Sequence, residues 1–167
     1  MKPVTKLVSL DVPEEKMLAA LGEVALRHEH MNHVLRLMVK SLANVTLAEA
    51  VAATERKSSS QLRQLVKSLA RKRLGVGGPL IKLQAILATC GTLTDKRNRL
   101  VHRLWAKDKH GEAQIPYAVG DPSPVPTVKE LRALARAIKT HTNQMIADRR
   151  EGWLHDALSK NARSIMR

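Results

Sequence analysis

Three short patterns constrain this chain more than anything else in it: Thr46-x-x-Glu49, Ser58-x-x-Gln61 and Thr127-x-x-Glu130. In each, a hydroxyl can accept the N–H of the residue three further on, and that residue's carboxylate or amide can reach back to the hydroxyl-bearing residue's own N–H. Two otherwise orphaned donors at a helix start are satisfied at once. Apolar residues three and four apart follow each pattern, so each predicts a helix with one buried stripe.

The rest of the chain fits the same reading. Pro13-Glu14-Glu15 is a helix start, with the proline in the first turn and the acids facing the dipole. Met17, Leu18, Leu21, Val24, Ala25, Met31, Val34, Leu35, Met38, Val39 and Leu42 then mark one long amphipathic helix. The Thr46 box opens a short helix that fades near Thr54. The Ser58 box opens a helix with Leu62, Leu65, Val66, Leu69 and Leu74 inside and a basic stripe at Arg63, Lys67 and Arg71. Gly75 to Pro79 is a connector. It lacks the Lys-Ser/Thr ending of a phosphate-cradling loop and follows a helix, not a strand. From Leu80 an apolar seam runs through positions 83, 87, 90, 94, 97, 101 and 104, which predicts a helix to about Trp105, loosened at Gly91.

The periodicity then breaks. Lys109-His110-Gly111 reads as a turn, Ala113 to Val119 as an extended segment, and Pro122, Pro124 and Pro126 as a stiff loop. Behind the Thr127 box, Val128, Leu131, Leu134, Ala135, Ile138, Met145 and Ile146 form the last long stripe. Gly152 interrupts it, leaving 153–167 as a frayed C-terminal helix. The expectation is one all-α domain over residues 1–167: a four- to five-helix up-down bundle with a short irregular or hairpin insertion near 106–126 and an N-terminal tail at 1–12.

Composition sharpens this. Hydrophobic residues make up 44% of the chain but aromatics only 2%, with no Phe, so the core must be interlocked aliphatic side chains. A platform that stacks single-stranded bases on several rings is excluded on the same count. The formal net charge of +14 favours a polyanionic partner, nucleic acid first and an anionic membrane surface second, with plain solubility as the bland alternative. Cys90 is the only cysteine, which rules out an intramolecular disulfide and a cysteine-based zinc site and fits a reducing compartment. No apolar run suits a signal peptide or a membrane span, so a cytoplasmic protein is expected.

One segment carries chemistry, Asp95-Lys96-Arg97-Asn98-Arg99-Leu100-Val101-His102-Arg103-Leu104-Trp105. Arg97 falls on the apolar seam, where burying an unpaired charge would cost several kcal/mol, so it must snorkel out or be held for a purpose. Asn98 and His102 share a helix face, whereas Arg97 and His102 are roughly 140° apart around the helix. Arginine's reach, or a second copy of the helix across a two-fold axis, has to close that gap. The trio suits metal-free phosphodiester cleavage. Imidazole exchanges protons near neutral pH, guanidinium meets the charge of the pentacovalent transition state, and the amide orients the imidazole or the scissile phosphate.

Arg97-Asn98-x-x-x-His102 resembles the motif of the HEPN superfamily, small helical bundles whose ribonuclease members carry Arg, four to six residues, then His. The surroundings are similar too: a glycine turn, the helix opening at Leu80-Ile-Lys-Leu, the motif, His-x-x-Trp, Gly111-Glu112, and a capped Val-Lys-Glu-Leu-Arg-Ala-Leu helix, over roughly residues 15 to 150. The resemblance implies a homodimer through the motif helix, with both Arg–His pairs lining one cleft. Many members act in toxin–antitoxin, phage-defence or RNA-processing systems, so an antitoxin protein is an expected partner where the member is a toxin. Others bind RNA, nucleotide or protein without catalysis, which is the alternative function. Leu104 stands where some toxin members carry a tyrosine that a partner modifies, which argues against that mode of control.

The expected roles are His102 as acid/base, Arg97 as transition-state clamp and Asn98 as orienting group. Arg99, Arg103, Lys67 and Arg71 are the candidate RNA-backbone contacts. Glu29 is placed to approach the cleft from the first helix. No metal or other cofactor is expected; His30 and His33 could pair on one helix face, but no third ligand is evident and the zincin spacing is off by one residue. Trp105 and Trp153 read as core anchors, and His110, His141 and His155 belong to no constellation.

Overall fold

The computed structural model describes residues 9–10, 13–101, 106–107, 113–118 and 121–165. Among them the chain is an all-α bundle of six helices with a small antiparallel sheet. The helices are α1 (Glu15–Ala43), α2 (Leu47–Thr54), α3 (Ser59–Leu74), α4 (Gly78–Val101), α5 (Val128–Arg150) and α6 (Trp153–Ile165). The sheet runs in the order β1 (Ser9–Leu10), β2 (Ala106–Lys107), β3 (Ala113–Ala118) and β4 (Asp121–Pro124).

All three capping boxes form, with both reciprocal hydrogen bonds, at Thr46, Ser58 and Thr127. Helix α1 starts without a side-chain cap. Its N-cap is Glu14, so Pro13 precedes the helix instead of occupying its first turn. It ends at Asn44, whose left-handed backbone (φ 55°) an asparagine tolerates better than most residues, and the Asn44 N–H closes on the Lys40 carbonyl.

The aliphatic core is built from one stripe per helix. Val24, Met31, Leu35 and Met38 of α1, Leu62 and Val66 of α3, Leu83 and Cys90 of α4, and Leu131, Ile138 and Met145 of α5 are all buried. Leu18, expected inside, is exposed near the start of α1. Gly91 does not loosen α4, which runs unbroken through it. The Cys90 thiol, wrapped in this core, is pushed up to about 12 by burial and is inert as a nucleophile at neutral pH.

Three expectations about the periphery need correction. Ser9–Leu10, read as tail, pairs antiparallel with Ala106–Lys107. Pro122 and Pro124 lie in β4, opposite Pro116 and Gln114, and not in a free polyproline loop. An edge strand tolerates proline because its outward N–H groups have no partner to lose, and β4 is the edge. Residues 153–165 are helical, not frayed: Leu154 is fully buried, and Asn161 Nδ2 donates to the Arg73 carbonyl at 2.8 Å. The expected turn at Lys109-His110-Gly111 lies outside the described residues.

Gly152 makes the α5–α6 corner. A Cβ placed there would lie 2.8 Å from the Asp148 Cα, against backbone that cannot step aside. Gly152→Ala is therefore expected to destabilise the fold by about 1–3 kcal/mol, read as a lower urea midpoint at unchanged slope. An unchanged midpoint would show that the corner opens freely.

Candidate functional site

The polar residues of the bundle meet where α1, the N-terminus of α3 and the C-terminal half of α4 converge. A cavity of about 440 Å³ opens there, walled by His28, Glu29, Asn32 and Arg36 from α1, Lys57 to Ser60 and Arg63 at α3, and Thr94, Asp95, Arg97 and Asn98 from α4. Four cations (Arg36, Lys57, Arg63, Arg97) face two carboxylates (Glu29, Asp95), so an anion is the charge this cavity lacks.

At its floor is a hydroxyl hub. Thr94 Oγ1 donates its one proton to the Cys90 carbonyl at 2.7 Å, so every other partner must donate to it. Arg63 Nη1 does so at 3.3 Å while also bonding Ser59 Oγ at 3.1 Å, and Ser59 Oγ sits 3.2 Å from Thr94 Oγ1. His28 Nε2 is 3.1 Å away, and the same logic makes it the protonated nitrogen of a neutral ring. Burial first, then the Arg97 charge, hold His28 down at about 4; Glu29 pulls the other way, and Arg63 adds the smallest downward push. His28 is therefore an anchor and not a proton donor at neutral pH.

The rim is ion-paired. Glu29 accepts from Arg36 Nη1 at 2.8 Å and from Asn32 Nδ2 at 3.2 Å. Burial alone would raise its carboxyl, but these bonds and the Arg36 charge more than offset that and hold it below the usual carboxylate range.

Arg97 and Asn98 both face this cavity, and Arg97 Nη1 donates to Asn98 Oδ1 at 3.1 Å. Arg97 is half-buried, as its seam position demands. Glu29 does reach the same cavity. Lys67 lines an adjoining groove between α3 and α4 that shares Ser60 and Arg63 with the cavity wall, and Arg71 is exposed one turn further along α3. Arg99 points elsewhere, into a groove between α4 and α5 with Lys96, Leu100 and Pro126. His102, Arg103 and Trp105 lie outside the described residues.

His28, Asn32, Arg36, Ser59, Arg63 and Thr94 were not singled out from sequence as site residues. The signal existed. His28 and Asn32 lie on the buried stripe of α1 and Thr94 on the apolar seam of α4, and polar groups there need partners.

His30 and His33 line a separate cavity between α1 and α5, with Arg27 and Lys139. Among the described residues no group of three His, Cys, Asp or Glu side chains is placed to hold a metal ion, and no helix is long and apolar enough to cross a membrane. Trp153 is half-buried against the core, with Lys82 Nζ 5.9 Å from its ring centre. Comparison with family models, with curated proteins and with solved structures finds no match for this chain.

The anchored histidine gives the fold a pH dependence whose sign is fixed. Its folded value lies below its unfolded one, so the unfolded chain binds the extra proton between about pH 6.5 and 4. Stability is fully present above that window and is lost as pH falls through it. His141, lowered by burial, adds in the same direction. Unfolding free energy should be lower by about 2 kcal/mol at pH 5 than at pH 7.5. His28→Gln should remove most of that slope; a slope unchanged in the variant would place the titration elsewhere.

Proposed function

We propose that this chain is a metal-independent endoribonuclease that cleaves RNA by attack of a ribose 2′-OH on the adjacent phosphate. The observation that carries the reading is the position of Arg97: a guanidinium on the core seam of α4, tied to Asn98 and facing a cavity with excess positive charge. The resemblance of Arg97-Asn98-x-x-x-His102 to the HEPN motif supplies the rest. In this reading His102 exchanges the proton, Arg97 holds the phosphate oxygens as charge builds on them, and Asn98 fixes the guanidinium. The products are a 2′,3′-cyclic phosphate and a 5′-OH.

The cavity gains meaning from the charge balance of the whole chain. A net +14 draws RNA to the surface, while Arg63 and Lys57 in the wall and Lys67 in the adjoining groove form a path for its backbone. Pairing of two α4 helices about a two-fold axis would bring a second Arg–His pair to the same strand, so the reading includes a homodimer. An antitoxin protein and a cytoplasmic setting belong to it as further expectations.

Cleavage of a structured RNA in excess EDTA is the test. The wild-type protein should cut it, and His102→Ala and Arg97→Ala should each slow cutting by about a hundredfold or more with the thermal melt preserved. Cleavage that disappears with chelator sinks the proposal. Tight, salt-sensitive RNA binding with no cleavage would instead establish the non-catalytic binding module, for which the neutral, anchored His28 would be structural only.

A further inference from the structure

Among the described residues, the two most exposed large hydrophobic side chains sit at one corner of the bundle. Val76, in the connector between α3 and α4, is fully exposed, and Ile81, in the first turn of α4, is 66% exposed. The backbone holds them there. Gly75 turns the chain out of α3 at φ 68°, a conformation that a side chain would penalise, and the Ile81 N–H closes on the Gly77 carbonyl at 3.1 Å. Val76 buries no surface in the fold, so burial gives it no share in stability. Either residue alone would be ordinary surface. What surrounds them is not.

From Arg56 to Thr94 the sequence holds eight Lys or Arg and no Asp or Glu. Four of those eight belong to this corner: Arg71, Lys72 and Arg73 in the last turn of α3, and Lys82 next to Ile81. Arg71, Lys72 and Lys82 are exposed, with Lys82 Nζ 5.9 Å from the Trp153 ring centre. Helix α6 reaches this end of the bundle through Asn161, which bonds the Arg73 carbonyl, and adds an exposed charge of each sign in Lys160 and Asp156. The corner is thus an aliphatic tip in a cationic collar. A phosphodiester strand would use the collar and leave both aliphatics in water. An anionic bilayer uses both parts, since its headgroups meet the cations while the tip enters the acyl boundary.

We infer that the α3–α4 corner docks this protein on an anionic membrane surface, with Val76 and Ile81 at the acyl boundary and Arg71, Lys72 and Lys82 at the headgroups. Such docking lies on the bilayer and needs no spanning helix. The inference goes beyond the nuclease reading and does not depend on it. The cavity that holds Arg97 lies at the other end of α3, whose 16 residues span about 24 Å. A molecule docked by this corner holds that cavity away from the bilayer.

The experiment is sedimentation of the full chain with phosphatidylcholine vesicles, with and without phosphatidylserine. The protein should pellet only with the phosphatidylserine vesicles, and less as salt is raised. Val76→Ser combined with Ile81→Ser should weaken that binding about tenfold or more with the thermal melt unchanged, because neither side chain belongs to the core. Arg71→Gln and Lys72→Gln should each weaken it about fivefold.

Full-strength binding by the double serine variant overturns the inference, because charge alone would then account for it. Failure of the wild type to pellet with phosphatidylserine vesicles overturns it too, as does equal pelleting without phosphatidylserine. Should the serine pair weaken RNA binding while vesicles stay unbound, the corner is a nucleic-acid wedge and the membrane assignment is lost. Cleavage of free RNA assayed in parallel keeps the two claims apart. Pelleting without cleavage removes the nuclease and keeps the docking corner; cleavage without pelleting does the reverse.

Discussion

The single proton of the Thr94 hydroxyl organises the polar half of this molecule. Directed onto the Cys90 carbonyl, it leaves the hydroxyl oxygen two lone pairs, for which the donors of His28, Ser59 and Arg63, from two other helices, compete. Three helices are thus tied at one hydroxyl oxygen. Elsewhere α1, α3 and α4 meet through aliphatic side chains, which fix distance well and rotation less sharply. The node fixes rotation, and with it the direction in which Arg97, one turn further along α4, projects.

The aliphatic half and the polar half differ in how legible they were. Capping boxes and apolar spacing are local, so the starts of α2, α3 and α5 could be read residue by residue, and the structure places them there. Pairing of Ser9–Leu10 with Ala106–Lys107, and the placement of Pro122 and Pro124 on a sheet edge, depend on segments distant in sequence. No local pattern encodes them. The order of α6 has the same origin: Leu154 and Asn161 are unremarkable in sequence and acquire partners only when α3 and the core are present.

For the site, what could be read was the motif and what could not was its surroundings. Arg97 stood out because a charge on a hydrophobic seam violates the pattern of its own helix. His28 and Asn32 violate the pattern of α1 in the same way, yet their partners, Thr94 across the bundle and Glu29 within the helix, could not be chosen from spacing alone. Arg63 was read as one member of a basic stripe with Lys67 and Arg71. Its neighbours on the stripe are exposed, while Arg63 turns inward to lie over Gly91 of α4 and reach Ser59 and Thr94.

That inward turn changes how the chain's charge should be understood. A surplus of +14 spread over a surface would attract any polyanion with little preference. Here Arg36, Arg63 and Arg97 converge on one cavity where each is partly removed from water, with Glu29 and Asp95 beside them. Depression of His28 to about 4 is a local reading of that field, since the Arg97 and Arg63 charges contribute to it after burial. Glu29 pairs with Arg36 at 2.8 Å, and the surplus of positive charge along the rest of the cavity wall carries an electrostatic cost. An anion seated there would offset it, and the offset grows as the cavity excludes water. The charge that would draw a polyanion to the surface is thus distinct from the charge that would hold a phosphate in the cavity, and only the second is built into the helix packing.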